Sequence, residues 1–272
     1  VTTHIPWPVP EPDLPTGTHP ALAAAALGAA GAYDRARRRH TRTELAETRG
    51  TGADGTPTML VDEIVEEAIA DAARTHGVNL LSEEAGFIDN GSALTLVTDP
   101  VDGSANAASG VPLSCFAGVV TDDGRPVEAL TCWLDTGRVW RAVAGEPVPY
   151  RTSGRTRLDG AAISVLRPGP HARDVWWRVV ERAERIRILS TTCLEAVLVA
   201  EGSIDAFADV GGDVHRIVDL AAAMLTVPAA GGAVLDAFGR PLEIDPDLSR
   251  RWSGIVAATP ELAEEIAAAV RG

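Results

Sequence analysis

The sequence predicts a layered α/β protein, and three observations lead there. Short apolar runs bounded by turns fill the stretch after Gly77. Helical and strand patterns alternate from about His171 onward, and no internal repeat or low-complexity linker separates the two regions. With 272 residues, 46% hydrophobic and 23% charged, the chain can bury a sizeable core. We expect a proline-rich leader over residues 1–20 and one domain over 21–272. That domain is expected to be strand-rich to about residue 160 and alternating from about 161 onward.

Pro6, Pro8, Pro10, Pro12, Pro15 and Pro20 exclude a helix from the leader and predict an extended or disordered segment, with Trp7 as its large apolar anchor. An Ala-rich helix is expected over about 21–47, with Arg35, Arg37, Arg38 and Arg39 on a solvated face. The GTGADGTPT stretch (50–58) reads as a turn-rich loop. Val61, Ile64, Val65, Ala68, Ile69 and Ala72 then keep helical spacing, which places Asp62 in that helix's first turn. Strands are expected at 78–81, 94–97, 116–120, 127–133, 138–143 and 162–166, the later ones spaced as an antiparallel meander. Beyond them the pattern gives helix 174–185, strand 186–189, helix 193–200, strand 204–208 and helix 217–229. Strands 233–236 and 255–258 and helix 261–270 close the chain.

A net charge of −14 repels phosphate backbones and offers no basic stripe, so a nucleic-acid polymer is not an expected partner. Phosphate chemistry on so acidic a chain needs bound cations to invert the local potential. The sequence contains no lysine, which removes Schiff-base and Walker-type chemistry. Cys115, Cys132 and Cys193 are odd in number and lie in apolar runs, so they read as reduced core thiols, and the expected compartment is cytoplasmic. No apolar run reaches the roughly 18 residues that span a bilayer, and no charged-then-apolar signal pattern is evident at the N-terminus.

The most informative stretch is LTLVTDPVDGSANAASGVP (94–112), where an apolar strand runs into Asp99-Pro100-Val101-Asp102-Gly103-Ser104. Pro100 and Gly103 fold Asp99 and Asp102 toward one point. Two like charges so placed need a cation between them or must share a proton. The amides of Gly103, Ser104 and Ala105 can open a short helix that accepts phosphate oxygens. An ordinary Asx/Pro/Gly turn fits the same residues. An EF-hand does not, because its twelfth position would be Gly110 where a Glu is required. A second acidic element, Ser82-Glu83-Glu84, also ends a short apolar strand. A third, Arg216-Ile217-Val218-Asp219, sets Asp219 in the first turn of an apolar helix, where an acid needs a partner, a metal or the helix terminus itself.

Taken together these residues resemble the inositol monophosphatase superfamily of Mg²⁺-dependent phosphatases, which includes fructose-1,6-bisphosphatases. The D-P-x-D-G-S/T-x-N element matches at 99–106, the acidic strand-end element at 82–84 and the distal D-x-A-A-A…A-G-G element at 219–232. GADGTPT, VDEIVE and FADVGGDVHRIVD are most similar to the archaeal-type branch, which acts on inositol phosphate and fructose bisphosphate. The resemblance implies an αβαβα sandwich and two or three Mg²⁺ ions on Glu83, Asp99, Asp102, Asp219 and the Val101 carbonyl. It implies that Asp62 and Ser104 activate water and that Gly103 and Ser104 hold phosphate. It further implies that Asp209, Ser190, Thr191, Thr192 and Arg216 line the substrate pocket and that the protein is a homodimer.

The expected reaction is hydrolysis of a small inositol, sugar or nucleoside monophosphate. Ser104 stands where Thr is commoner, and Gly211 where the archaeal-type enzymes usually carry Arg, a change that weakens the case for a second phosphate unless His215 or Arg216 compensates. Fructose-1,6-bisphosphatase activity, a histidinol-phosphatase-like activity, a paired-carboxylate glycosidase and a metal-binding regulatory protein with a degenerate site remain the alternatives.

Overall fold

The computed structural model describes residues 3–272. Residues 3–19 form no helix or strand, yet they are pinned along their length. Ile5 is buried, the Val9 amide donates to Asp34 Oδ1 (3.1 Å) and the Asp13 amide to the Gly137 carbonyl (2.9 Å). Trp7, 38% exposed, lies over the Arg37 guanidinium at 5.4 Å, so Ile5 is the buried anchor of the leader.

Helix α1 (Pro20–Arg39) stops where His40 turns extended, and α2 (Arg42–Leu45) begins afresh. The expected single helix over 21–47 is broken by a capping box: Thr41 Oγ1 accepts from the Glu44 amide and Glu44 Oε2 from the Thr41 amide (2.7 Å). Arg37 is also not on a solvated face. It is 1% exposed, paired with Asp135 at 2.9 Å and stacked on Tyr33 at 4.9 Å.

The GTGADGTPT segment contributes a small hairpin, β1 (Thr48–Thr51) with β2 (Pro57–Met59), and leads into α3 (Leu60–Thr75). A six-stranded sheet follows, built from β3 (Asn79–Ser82), β4 (Gly86–Ile88), β5 (Leu94–Asp102), β6 (Cys115–Asp122), β7 (Arg125–Trp133) and β8 (Val139–Val143), in the order β4-β3-β5-β6-β7-β8. The short α4 (Ser104–Ser109) sits between β5 and β6. Only β3 and β5 pair in parallel; the other neighbours are antiparallel.

The second half supplies β9 (Ala162–Val165), α5 (Arg173–Val180), β10 (Arg185–Arg187), α6 (Thr192–Ala200) and β11 (Ala206–Ala208), then α7 (Ile217–Ala221) and α8 (Ala223–Ala229). It ends with β12 (Ala233–Asp236), β13 (Gly254–Ala257) and α9 (Pro260–Arg271). Its sheet runs β10-β9-β11-β13-β12. The expected helix over 217–229 is thus two helices joined at Ala222.

Strand alternation assigns the layers. Leu80, Leu96, Phe116 and Leu130 face α1 and α3, while Leu81, Val97, Ala117 and Ala129 face α6, α7 and α8. Phe207 and Val256 of the second sheet meet α6 and α8 from the other side. Ile163, Ala208 and Ile255 meet α5 and α9. The order is helices, sheet, helices, sheet, helices, an αβαβα sandwich. Cys115, Cys132 and Cys193 are buried and free.

Candidate active site

Parallel pairing of β3 with β5 sets Ser82 opposite Thr98, so the next residues, Glu83 just past β3 and Asp99 still in β5, follow side by side. Helix α7 packs across β5 and presents Asp219 from its first turn. One carboxylate oxygen from each of Glu83, Asp99 and Asp219 lies within 4.8 Å of the others. Burial raises Asp99 well above the usual carboxylate range, and Glu83, Asp102 and Asp219 raise it further. Glu83 is raised by burial against the opposing pull of Arg216.

Between Asp99 and Asp102 the strand bulges: Asp99 pairs with Ala117 but Asp102 with Cys115, so β5 spends one extra residue. The bulge turns Asp102 toward α6. Its Oδ2 accepts from Thr191 Oγ1 (2.6 Å) and the Cys193 amide (2.8 Å), and its Oδ1 from the Thr192 amide (3.0 Å). Asp102 therefore caps α6 from outside, while sharing a second close set with Asp99 and Cys193. Gly103 then takes φ 86°, and a Cβ there would sit 2.6 Å from the Leu113 carbonyl oxygen, so only glycine makes this turn.

Ser104 Oγ donates to the Val101 carbonyl (2.9 Å). Beside it lies Asp62, whose Oδ2 accepts from the Met59 amide (2.9 Å) and whose Oδ1 is buried without a partner. Burial pushes the Asp62 carboxyl up to about 6, with the Ser104 hydroxyl pulling the other way.

The chain matches the inositol monophosphatase family over residues 18–272. It belongs to that family. A Thermococcus kodakarensis protein named fructose-1,6-bisphosphatase/inositol-1-monophosphatase is 31% identical over 233 residues, covering 84% of this chain and 88% of its own. The inositol-1-monophosphatase ImpA of Mycolicibacterium smegmatis is 29% identical over 76% of each chain. Among solved structures, a Pyrococcus horikoshii protein described as similar to inositol-1 monophosphatase superposes with a TM-score of 0.72 at 27% identity, covering 83% of this chain and 88% of that one. The chain is a phosphoric monoester hydrolase. No described helix is long and apolar enough to cross a membrane.

The remaining expected residues of the phosphatase fall into two groups. Ser190, exposed and at φ 59°, and Thr191 and Thr192 form the loop that abuts the Gly103 turn. Asp209 does not open toward the acidic cluster with a free oxygen: its Oδ1 accepts from the Gly212 amide (2.8 Å) and its Oδ2 from the Val214 amide (3.1 Å). Arg216 likewise is engaged, by Asp54 (2.7 Å), by Glu83 and by Asp219 (2.8 Å). His215 is 1% exposed, accepts from the Gly254 amide at Nδ1 (3.1 Å), and is held below its ordinary value by burial. A neutral imidazole offers no cation for a second phosphate.

Sequence reasoning gave no individual role to Asp54, Glu66, Glu84 or Glu195, although Glu84 lay within the Ser82-Glu83-Glu84 element it singled out. Asp54 is held below the carboxylate range, against burial, by the Thr56 amide and Arg216. Glu66, which accepts from Ser82 Oγ, and Glu84, which accepts from Thr58 Oγ1, are each pushed by burial to about 7. The available signal was Asp54 within GADG and Glu84 beside Glu83. Glu66 and Glu195 gave none, since an acid inside a helix reads as a solvated position.

Proposed function

We propose that the phosphatase hydrolyses a small inositol, sugar or nucleoside monophosphate with Mg²⁺, two or three ions being held by Glu83, Asp99, Asp102, Asp219 and the Val101 carbonyl. The observation that carries this reading is the approach of Glu83, Asp99 and Asp219 to within 4.8 Å. Carboxylates so close favour a cation between them, and an all-oxygen donor set suits a hard divalent ion. When bound, such ions supply Lewis acidity, lowering the pKa of water and neutralising charge on the phosphate and the departing alkoxide.

The chain's own groups do the rest. Ser104 Oγ donates its hydrogen bond to the Val101 carbonyl, which leaves its oxygen lone pairs to accept from a water and aim it. Asp62, with Oδ1 unpartnered and a carboxyl near 6, takes the water's proton at neutral pH. Gly103 and Ser104 open α4, where backbone amides lack intrahelical acceptors and can hold phosphate oxygens. On the alcohol side, Asp209 and Thr191 spend their oxygens on the protein itself, so Ser190 is the member of that set best placed to meet substrate hydroxyls.

The pairing of Arg216 with Asp54 and the neutral His215 favour one phosphate over two. The test is phosphate release with Mg²⁺ across inositol, sugar and nucleoside monophosphates, with fructose 1,6-bisphosphate as comparator. Release that depends on Mg²⁺ and falls at least about 100-fold in Asp99→Asn is expected. Full activity in Asp99→Asn sinks the reading.

A further inference from the structure

Arg216 makes an unusual set of contacts for a residue beside a cation site. Its Nη1 donates to Asp54 Oδ2 (2.7 Å) and to Glu83 Oε1. Its Nη2 and Nε grip the two oxygens of Asp219 (2.8 and 3.1 Å), and its own amide adds a third contact to Asp219 Oδ2 (2.6 Å). The guanidinium thus ties together the β1–β2 hairpin loop, the end of β3 and the first turn of α7. Two of its three partners, Glu83 and Asp219, belong to the triad that closes to 4.8 Å. Both oxygens of Asp219 face the guanidinium, so a divalent ion drawn to Asp219 meets a like charge already seated on the same atoms. Asp54 stands outside the triad, and the Arg216 side chain is 16% exposed. A side chain with four rotatable bonds at the edge of the cluster can therefore release Glu83 and Asp219 while keeping the buried Asp54 carboxylate as its partner.

We infer that Arg216 is a displaceable internal counter-cation: it competes with divalent ions for Glu83 and Asp219 and swings toward Asp54 when an ion binds. The inference rests on reading Glu83, Asp99 and Asp219 as the cation ligands. It gives Arg216 two effects. The guanidinium holds the carboxylates together against their mutual repulsion, and it weakens ion affinity by having to leave.

The experiment is Mg²⁺ titration of the full chain by calorimetry, alongside proton–nitrogen spectra that follow arginine Nε–H groups. The Arg216 signal is identified by its loss in Arg216→Lys. On saturation with Mg²⁺ that signal is expected to shift and to exchange faster with water. Arg216→Gln is expected to bind Mg²⁺ about tenfold tighter or more and to melt at a lower temperature without Mg²⁺. Arg216→Lys keeps the charge but loses the fork, so it separates competition for the oxygens from charge alone, and it is expected to bind more tightly than wild type and less tightly than Gln. If the Gln variant fails to fold, the Lys variant and the wild-type spectra decide. An Arg216 Nε–H signal unmoved at saturating Mg²⁺, or variants that bind no tighter than wild type, overturns the inference while leaving the metal reading intact. A wild-type protein that takes up no Mg²⁺ overturns both.

Discussion

At Asp62 three small facts support the proposed role of base: a capping bond to Met59, a neighbouring hydroxyl on Ser104 and a buried oxygen with no donor. Asn in its place keeps an acceptor for the cap but cannot take a proton. Asp62→Asn is therefore expected to fold normally and to lower kcat by about 10²- to 10⁴-fold. The pH dependence follows from the sign of the shift. A carboxyl raised to about 6 in the metal-free protein is protonated below that pH, and a bound divalent ion would draw it lower, so kcat/KM should hold through neutral pH and decline only as pH falls below about 6. A rate profile with no acid limb between about pH 4 and 8 would remove Asp62 from the role of base. The sequence placed Asp62 in a first helical turn, and the resemblance assigned its partner. The unpartnered oxygen became visible only when the Gly103 turn was brought against α3.

Helix α6 illustrates how one element serves another's chemistry. The residue at its N-cap, Thr191, makes no capping bond with its side chain, and Asp102 of β5 satisfies the first amides instead. One turn in, Glu195 is fully buried, accepts from Ser164 Oγ and from the Thr191 amide (3.2 Å), and so fastens the 190–192 loop to β9. Burial lifts this carboxyl from 4.5 to about 7, opposed by the Ser164 bond. A raised folded value means that the native state favours the protonated form. The associated stability is complete below pH 4.5 and lost as pH climbs through 7. Glu195→Gln mimics the protonated acid, donating to Ser164 and accepting from Thr191. It should raise the melting temperature at pH 8 by roughly 2–4 °C per kcal/mol gained and change it little at pH 4.5. Equal shifts at the two pH values would show that Glu195 is not titrating in the fold. Helix breaks at Thr41 and Ala222 were poorly legible for a related reason: each flanking stretch continues an Ala-rich or apolar periodicity, and the interruption comes from a cap or from packing between sheets.

Across the whole molecule, the leader shows how far composition can mislead. Proline content rightly excluded a helix, but it says nothing about docking. Ile5 packs into the α1/α3 core, with Cγ1 3.3 Å from where a Cβ on Gly110 would lie, at the end of α4. Truncating it removes buried methyl groups, so Ile5→Ala should cost about 2–4 kcal/mol of stability in denaturant titration. An unchanged midpoint would place the leader outside the folded core.

By itself the sequence determined the periodicities, and hence which residues became helix and strand in most elements, the layered class, and the three acidic segments that carry the family pattern. Those properties are local, written in the spacing of apolar and acidic residues a few positions apart. The tertiary structure alone decided that Asp102 would cap α6, that Arg37 would be buried and that Arg216 would sit among Asp54, Glu83 and Asp219. These contacts join groups 89, 98 and 162 residues apart. No window of sequence contains those distances, and only the stacking of two sheets around a shared helical layer closes them.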